Sequence, residues 1–316
     1  VMAQEDELNS ETMRDDAKRF ASIGNNVNAT LTVNTGKTKD ISNMLMGAFF
    51  FFFSLAADGG LYAELVQNRD FEYSADDRRE WNATTAWQSN KPIVVKTDIP
   101  LSKNNPHYVV LAQRDTLYNK GWGGITAKPT NAFDFSVYLR NENSEKNQVL
   151  VALINDKGEV VADAKIKTMG QGWNRYFVRL EVNKKAIKSN VRLVLVPQKQ
   201  GSVAIDMVSL FPEKTFKGHG LRVDLAEAIA AMKPKFVRFP GGCMSHGQGL
   251  SNIYHWYESV GPWQDRMPAK NIWNYHQTRG LGFYEYFQFC EDIGAEALPV
   301  LAAGVPCQNS TPDKDG

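Results

Sequence analysis

Apolar and polar positions alternate with a period of two along most of residues 66–212. Segments 93–99, 108–113, 132–140, 149–155, 160–166, 175–181, 191–196 and 203–210 each read as a short, half-buried strand. Turn-forming runs separate them, among them Asn155-Asp156-Lys157-Gly158 and Lys199-Gln200-Gly201-Ser202. Many short strands with no helical period between them predict an antiparallel β-sandwich of jelly-roll type. After Pro212 the period becomes helical. Leu225, Ala228, Ile229 and Met232 fall on one face of a helix over 224–232, which Pro234 ends. Residues 235–239 form a strand. Phe283, Tyr286, Phe287 and Cys290 then share a second helical face, with Gly294 at its C′ position, and 297–302 is a further strand. This β-α-β order predicts parallel pairing.

Before the alternating region, residues 29–34 also alternate and predict a half-buried strand. Residues 44–55 are apolar throughout and contain Phe49-Phe50-Phe51-Phe52-Phe53, which predicts a fully buried strand. Five consecutive Phe at a pocket rim would be an aggregation liability. Residues 4–27 are polar, with little apolar periodicity, and read as a loosely held lead-in. The expected divisions are therefore 1–27, 28–65, the sandwich at 66–212, and a second α/β stretch at 213–316.

Composition changes this picture little. The formal charge of +1 implies no polyanion partner, so nucleic acid is not expected. The 17 Phe, 11 Tyr and 7 Trp suit both sugar stacking and a filled core. Cys243, Cys290 and Cys307 are odd in number and irregular in spacing, which is not a disulfide framework. No apolar run reaches the length of a bilayer span. Val1-Met2-Ala3 has the small-x-small pattern of a signal-peptidase site, which points to a secreted or periplasmic protein. An unprocessed start is an equal reading.

The stretch richest in chemistry is Phe236-Val237-Arg238-Phe239-Pro240-Gly241-Gly242-Cys243-Met244-Ser245-His246-Gly247. An apolar strand breaks there into a Pro-Gly-Gly loop, followed by Cys, Ser and His. In parallel α/β folds ligands bind at such strand ends. Further on come Trp256-Tyr257-Glu258-Ser259-Val260-Gly261-Pro262 and Gly280-Leu281-Gly282-Phe283-Tyr284-Glu285-Tyr286. Earlier stand Ala56-Ala57-Asp58-Gly59-Gly60-Leu61-Tyr62-Ala63-Glu64-Leu65 and Asn68-Arg69-Asp70-Phe71-Glu72-Tyr73. Together, from about residue 29 to 316, these motifs resemble family 51 of the glycoside hydrolases, the α-L-arabinofuranosidases, in the subgroup with an inserted carbohydrate-binding-like module of the family 4/9 type.

The resemblance implies an incomplete (β/α)₈ TIM barrel with an inserted jelly-roll sandwich. Three barrel strands are expected, at 44–55, 235–239 and 297–302. A full barrel takes ~250 residues; 213–316 supplies about a hundred and the segment before the sandwich about forty. The chain thus reads as the N-terminal portion of a retaining, exo-acting enzyme that removes arabinofuranosyl groups from arabinoxylan or arabinan. The intact enzyme is expected to be a homo-oligomer that needs no cofactor for catalysis.

Retaining glycosidases use two carboxyl groups ~5–5.5 Å apart. The family carries them as Glu on the fourth and seventh barrel strands, so no catalytic residue is assigned here, and the chain alone is expected to be inactive. Asn141-Glu142 ends a sandwich strand instead, and Glu285 and Glu291 read as solvent-facing helix charges.

By the same resemblance, Gly242 and Cys243 meet the arabinose ring and Trp273 covers it, while Trp256 and Trp263 read as loop anchors. Relatives carry an acidic pair, the first member binding the sugar, where this chain has Phe51 and Phe52. A Phe accepts no hydroxyl proton, a loss of ~1–3 kcal/mol of binding. In the sandwich, Tyr118 and Trp122 are candidates for glycan stacking, Trp173 reads as core, and Trp81 and Trp87 are open. Glu72 and Asp206 match carboxylates that hold structural calcium in related modules, or else bond loop amides. Cys243-x-x-His246 with His255, His276 and Cys307 is a weak zinc pattern, because it lacks a second paired spacing. A non-catalytic glycan-binding protein working through the sandwich remains the rival reading.

Overall fold

The computed structural model describes residues 30–36, 38–50, 56–143, 146–184, 187–249 and 252–307. The chain divides into two units, Val1–Ser42 and Asn43–Gly316. In the first, residues 30–34 carry no strand and are exposed, Leu31 at 88%. The half-buried strand expected at 29–34 is therefore corrected. Alternation selects a face, but a strand also needs a partner, and no described strand pairs with these residues.

The second unit holds two apolar cores. The larger lies between two antiparallel sheets. One sheet runs in the order β10 (Asn174–Glu181), β7 (Ala132–Asn141), β12 (Ser202–Pro212), β4 (Tyr108–Ala112), β3 (Val94–Lys96). The other runs β2 (Trp87–Ser89), β5 (Leu117–Asn119), β11 (Ser189–Pro197), β8 (Lys146–Asn155), β9 (Val160–Met169), with β6 (Ile125–Ala127) also on β11. Val137 and Leu139 from one sheet and Val149, Val151 and Leu153 from the other sit at 0–1% exposure in the shared core. Each such side chain contributes ~1.5–3 kcal/mol by leaving water. All eight strands read from the alternation are present; β2, β5 and β6, of three residues each, are additions. Asn155 closes the β8–β9 turn, its Oδ1 accepting the N–H groups of Lys157 and Glu159, while Gly158 takes φ 82°.

The smaller core underlies a parallel sheet of order β1 (Ala48–Phe49), β13 (Phe236–Phe239), β16 (Glu296–Pro299). Helix α1 (Val223–Ala231) precedes β13, and α3 (Phe283–Ile293) connects β13 to β16. The two-sheet body is inserted between β1 and α1.

Three expectations need correction here. The strand at 44–55 is only two residues long among those described, and Leu45, Met46 and Phe49 are 53–71% exposed, because β1 pairs on one side only. Residues 51–55, with Phe51 and Phe52, lie outside the described residues. On α1, Ala226 is buried while Leu225, Ala228 and Met232 are exposed: in an Ala-rich helix the small side chain, not the long ones, permits close approach. On α3, Phe283, Tyr286, Phe289 and Cys290 are buried but Phe287 is 46% exposed. Gly294 closes α3 in the left-handed conformation, φ 67°.

Candidate functional site

Strand β13 ends at Phe239, and Gly241 takes φ 115°, a conformation only glycine adopts without strain. The chain then enters the short helix α2 (Gly242–His246). Gly242 and Cys243 open it, both half-buried. Ser245 is fully buried, and its Oγ donates to Val300 O at 2.9 Å just after β16. Val300 N in turn donates to Phe239 O at 2.7 Å. These bonds hold the Gly-Gly-Cys turn at the C-terminal ends of two parallel strands.

Residues 240–280 form a long connection over those strand ends. Its centre is a hairpin of β14 (Ala269–Lys270) and β15 (His276–Gln277). Trp273 stands in the hairpin turn, half-buried, its N–H donating to Asn271 Oδ1 at 2.9 Å. Gln277 Nε2 donates to Met244 Sδ at 3.1 Å, tying the Trp273 hairpin to the helix that carries Cys243. Asp58 accepts from Thr278 N and Thr278 Oγ1, both at 2.8 Å, and burial pushes its carboxyl above the usual carboxylate range. The first and second strand-end loops are joined in this way.

The inserted body also grips the hairpin. Asp77 Oδ2 lies 2.9 Å from His276 Nδ1, and Arg78 Nε donates to Asn274 O at 3.1 Å. Burial alone would lower the His276 pKa; the Asp77 hydrogen bond and the charges of Asp70, Asp77 and Asp58 together outweigh it and leave it raised. His255 faces Glu258 at 3.3 Å and stacks on Tyr257. Among the described residues, no three His, Cys, Asp or Glu groups converge as metal ligands.

Glu285, expected to face solvent, is corrected. It forms a two-pronged ion pair with the buried Arg266, at 2.8 and 3.0 Å, and caps α3 through Gly282 N. Sequence spacing gave no signal for a pair 19 residues apart. Glu291 is exposed. Asn141 ends β7.

The sandwich residues separate. Tyr118 on β5 lies under the Arg192 guanidinium at 4.7 Å. Trp122 packs on Gly59, and its Nε1 donates to Glu64 O at 3.2 Å. Trp87 is core, bonded to Asn68 O at 2.7 Å. Trp81 stacks on Tyr73 at 4.4 Å. Trp173 is half-buried, with its Nε1 on Ile99 O. Trp256 is 47% exposed. Glu72 has both oxygens on His107, one at the backbone N–H and one at Nδ1. Asp206 is fully buried at a bulge of β12; Oδ1 accepts Met207 N at 2.6 Å, and Oδ2 has no partner. Asp70 Oδ1, also buried, has none either. Hard, unpaired carboxylate oxygens are donors of the kind calcium takes.

The family model described as the alpha-L-arabinofuranosidase 1 domain matches residues 228–315, the segment that contains Gly242, Cys243 and Trp273. An extracellular exo-alpha-L-arabinofuranosidase of Streptomyces chartreusis is 38% identical over 290 residues, covering 87% of this chain and 34% of that protein. Alpha-L-arabinofuranosidase 1 of Arabidopsis thaliana is 33% identical over 306 residues, covering 88% of this chain and 43% of that one. The solved structure of an arabinose-bound family 51 α-L-arabinofuranosidase matches with a TM-score of 0.75 at 30% identity, covering 86% of this chain and 46% of its own.

The chain is similar, in sequence and in fold, to family 51 α-L-arabinofuranosidases. It spans less than half the length of each of these family 51 relatives. The chain is mostly β with few helices, and its fold matches the part of the family 51 structure that it covers. Among the described residues no helix is long and apolar enough to cross a membrane.

Proposed function

We propose that this chain forms the sugar-gripping first part of a retaining, exo-acting α-L-arabinofuranosidase that frees arabinofuranosyl side groups from arabinoxylan or arabinan. The sheet β1–β13–β16 would be three staves of an incomplete (β/α)₈ TIM barrel, with the two antiparallel sheets as an inserted jelly-roll module. The carrying observation is the bonded pair of strand-end elements: α2, with Gly242 and Cys243, tied through Gln277 and Met244 to the hairpin that bears Trp273. Gly242 leaves room for a ligand against the backbone, Cys243 lines the ring, and the Trp273 indole covers its C–H face. The acid/base and nucleophile Glu would come from later strands, so the protein supplies binding and orientation here and no proton transfer. Exposed Leu298, Leu301 and Val305, at 46–55%, lie on or just after β16, where a fourth strand would pack. Secretion and homo-oligomerisation of the intact enzyme belong to the same reading, as does a calcium ion held by Asp206 and Asp70, with Glu72 turned to His107.

The test compares release of 4-nitrophenol from its α-L-arabinofuranoside by this chain and by a version extended to the length of its relatives. The extended protein is expected to turn over and the chain alone to release nothing. Release by the chain alone at a comparable rate overturns the reading. Phe51 and Phe52 favour a second reading, a glycan-binding protein without turnover. If they alone block hydrolysis, Phe51→Glu in the extended protein restores it.

A further inference from the structure

We propose that the cleft beside Trp122 is a second saccharide site, and that it takes a sugar bearing a carboxylate, a uronic acid residue of a plant polysaccharide. The proposal rests on reading Trp122 as a stacking residue. It does not depend on hydrolysis, because it is read through binding alone.

The cleft has a volume of about 1020 Å³, large enough for several sugar rings. The inserted module lines it with Trp122, Lys128, Asn131 and Lys188, and the segment after β12 lines it with Lys214 and Arg222. Trp122 is a preset platform. Its Nε1 is fixed to Glu64 O, and its ring lies against Gly59, where φ is +80° and any added Cβ would strike the indole. The half-buried ring therefore rests on the backbone at Gly59 and also lines the cleft. A ring held in place before the ligand arrives loses little freedom on binding.

Charge then selects the ligand. The carboxylates of the lining are already engaged. Glu64 accepts from Ser209 Oγ and from the N–H groups of Val66 and Leu210, Glu213 pairs with Arg179 at 2.6 Å, and Asp224 pairs with Arg222 at 2.6 Å. Lys128, Lys188 and Lys214 have no ion-pair partner among the described residues. Three ammonium groups lining the same cleft as one aromatic ring suit a saccharide that offers a C–H face to the ring and an anion to the lysines. A neutral arabinan satisfies only the first half of that description.

The experiment is isothermal titration of the chain with a xylo-oligosaccharide carrying one glucuronic acid branch, and with the same compound after reduction of its carboxyl to an alcohol. The acidic form is expected to bind at least tenfold tighter, with the advantage lost between about 50 and about 500 mM NaCl. The triple variant Lys128→Gln, Lys188→Gln, Lys214→Gln should bind the two forms alike at an unchanged melting temperature, since all three side chains are exposed. Trp122→Phe should weaken both forms and preserve the preference. Equal affinity for the two forms, binding to neither, or a preference that survives the triple variant each overturns the proposal. Loss of arabinofuranosidase activity in the extended protein bears on the earlier reading and leaves this one standing.

Discussion

Asp206 shows what one side chain contributes to this fold. Burial pushes its carboxyl well above the usual carboxylate range, and the charges of Asp70 and Glu72 add to the effect. Its folded pKa therefore exceeds the unfolded value of about 3.9. The folded chain holds this proton more tightly, so the group favours folding below about pH 4. That contribution is lost as pH rises towards the raised folded value. Without metal, Asp206→Asn removes the buried charge and is expected to raise stability at neutral pH, with the gain fading towards pH 4. With calcium at a hundred times its dissociation constant, the natural protein gains about 2.7 kcal/mol and the Asn variant gains nothing. Thermal melts across pH, in chelator and in calcium, decide the matter; a natural protein indifferent to calcium and an Asn variant no more stable would remove both claims. The sequence offered Asp206 as a carboxylate in a strand. The bulge that buries it and orphans Oδ2 depends on β12 shifting register against β7, which no local pattern reveals.

The long connection over 240–280 shows where elements were legible and where they were not. The strands of ten or so residues announced themselves because at least one face is buried for nearly their whole length, one face in β8 and both in β12. Three-residue strands such as β5 have too few alternations to read. The connection has almost no period at all, and its order comes from side chains reaching backbone. Arg266 is 3% exposed and donates to the carbonyls of Gly261, Arg279 and Gly280 as well as to Glu285. Asn105 of the inserted module donates to the carbonyls of Gln264 and Arg266, at 2.7 and 2.8 Å. Arg266→Met strands the Glu285 carboxylate and three carbonyls, so a loss of about 3–5 kcal/mol is expected in denaturant melts. Arg266→Met combined with Glu285→Leu should lose less than the single variant, because no lone charge remains. A single variant within about 0.5 kcal/mol of the natural protein would show that the ion pair is not what orders the connection.

At the scale of the whole unit, an aromatic stack of the smaller core is gripped by two arginines of the inserted body. Trp263 from the long connection lies parallel to Phe211 at the end of β12, 5.7 Å between centroids, with Tyr62 edge-on to both. The Arg69 guanidinium sits 4.8 Å over the Trp263 ring, and Arg175 of β10 is 5.6 Å from it. Arg69 is 1% exposed and donates to the Tyr62 hydroxyl at 2.9 Å, while burial holds that hydroxyl protonated far above neutral pH. Pulling the inserted body away from the parallel sheet would strip the indole from a buried cation and wet the stack. That cost links the melting of one core to the other. The unit is therefore expected to unfold in one calorimetric transition, with van't Hoff and calorimetric enthalpies equal. Trp263→Ala removes the ring that Arg69 and Arg175 grip, at a cost of about 3–5 kcal/mol. Each core keeps its own apolar residues, so the variant should resolve into two transitions, the broader sandwich core melting at close to its natural temperature and the smaller core well below it. Two resolved transitions already present in the natural protein would mean that the aromatic joint holds the bodies in place without coupling their stability.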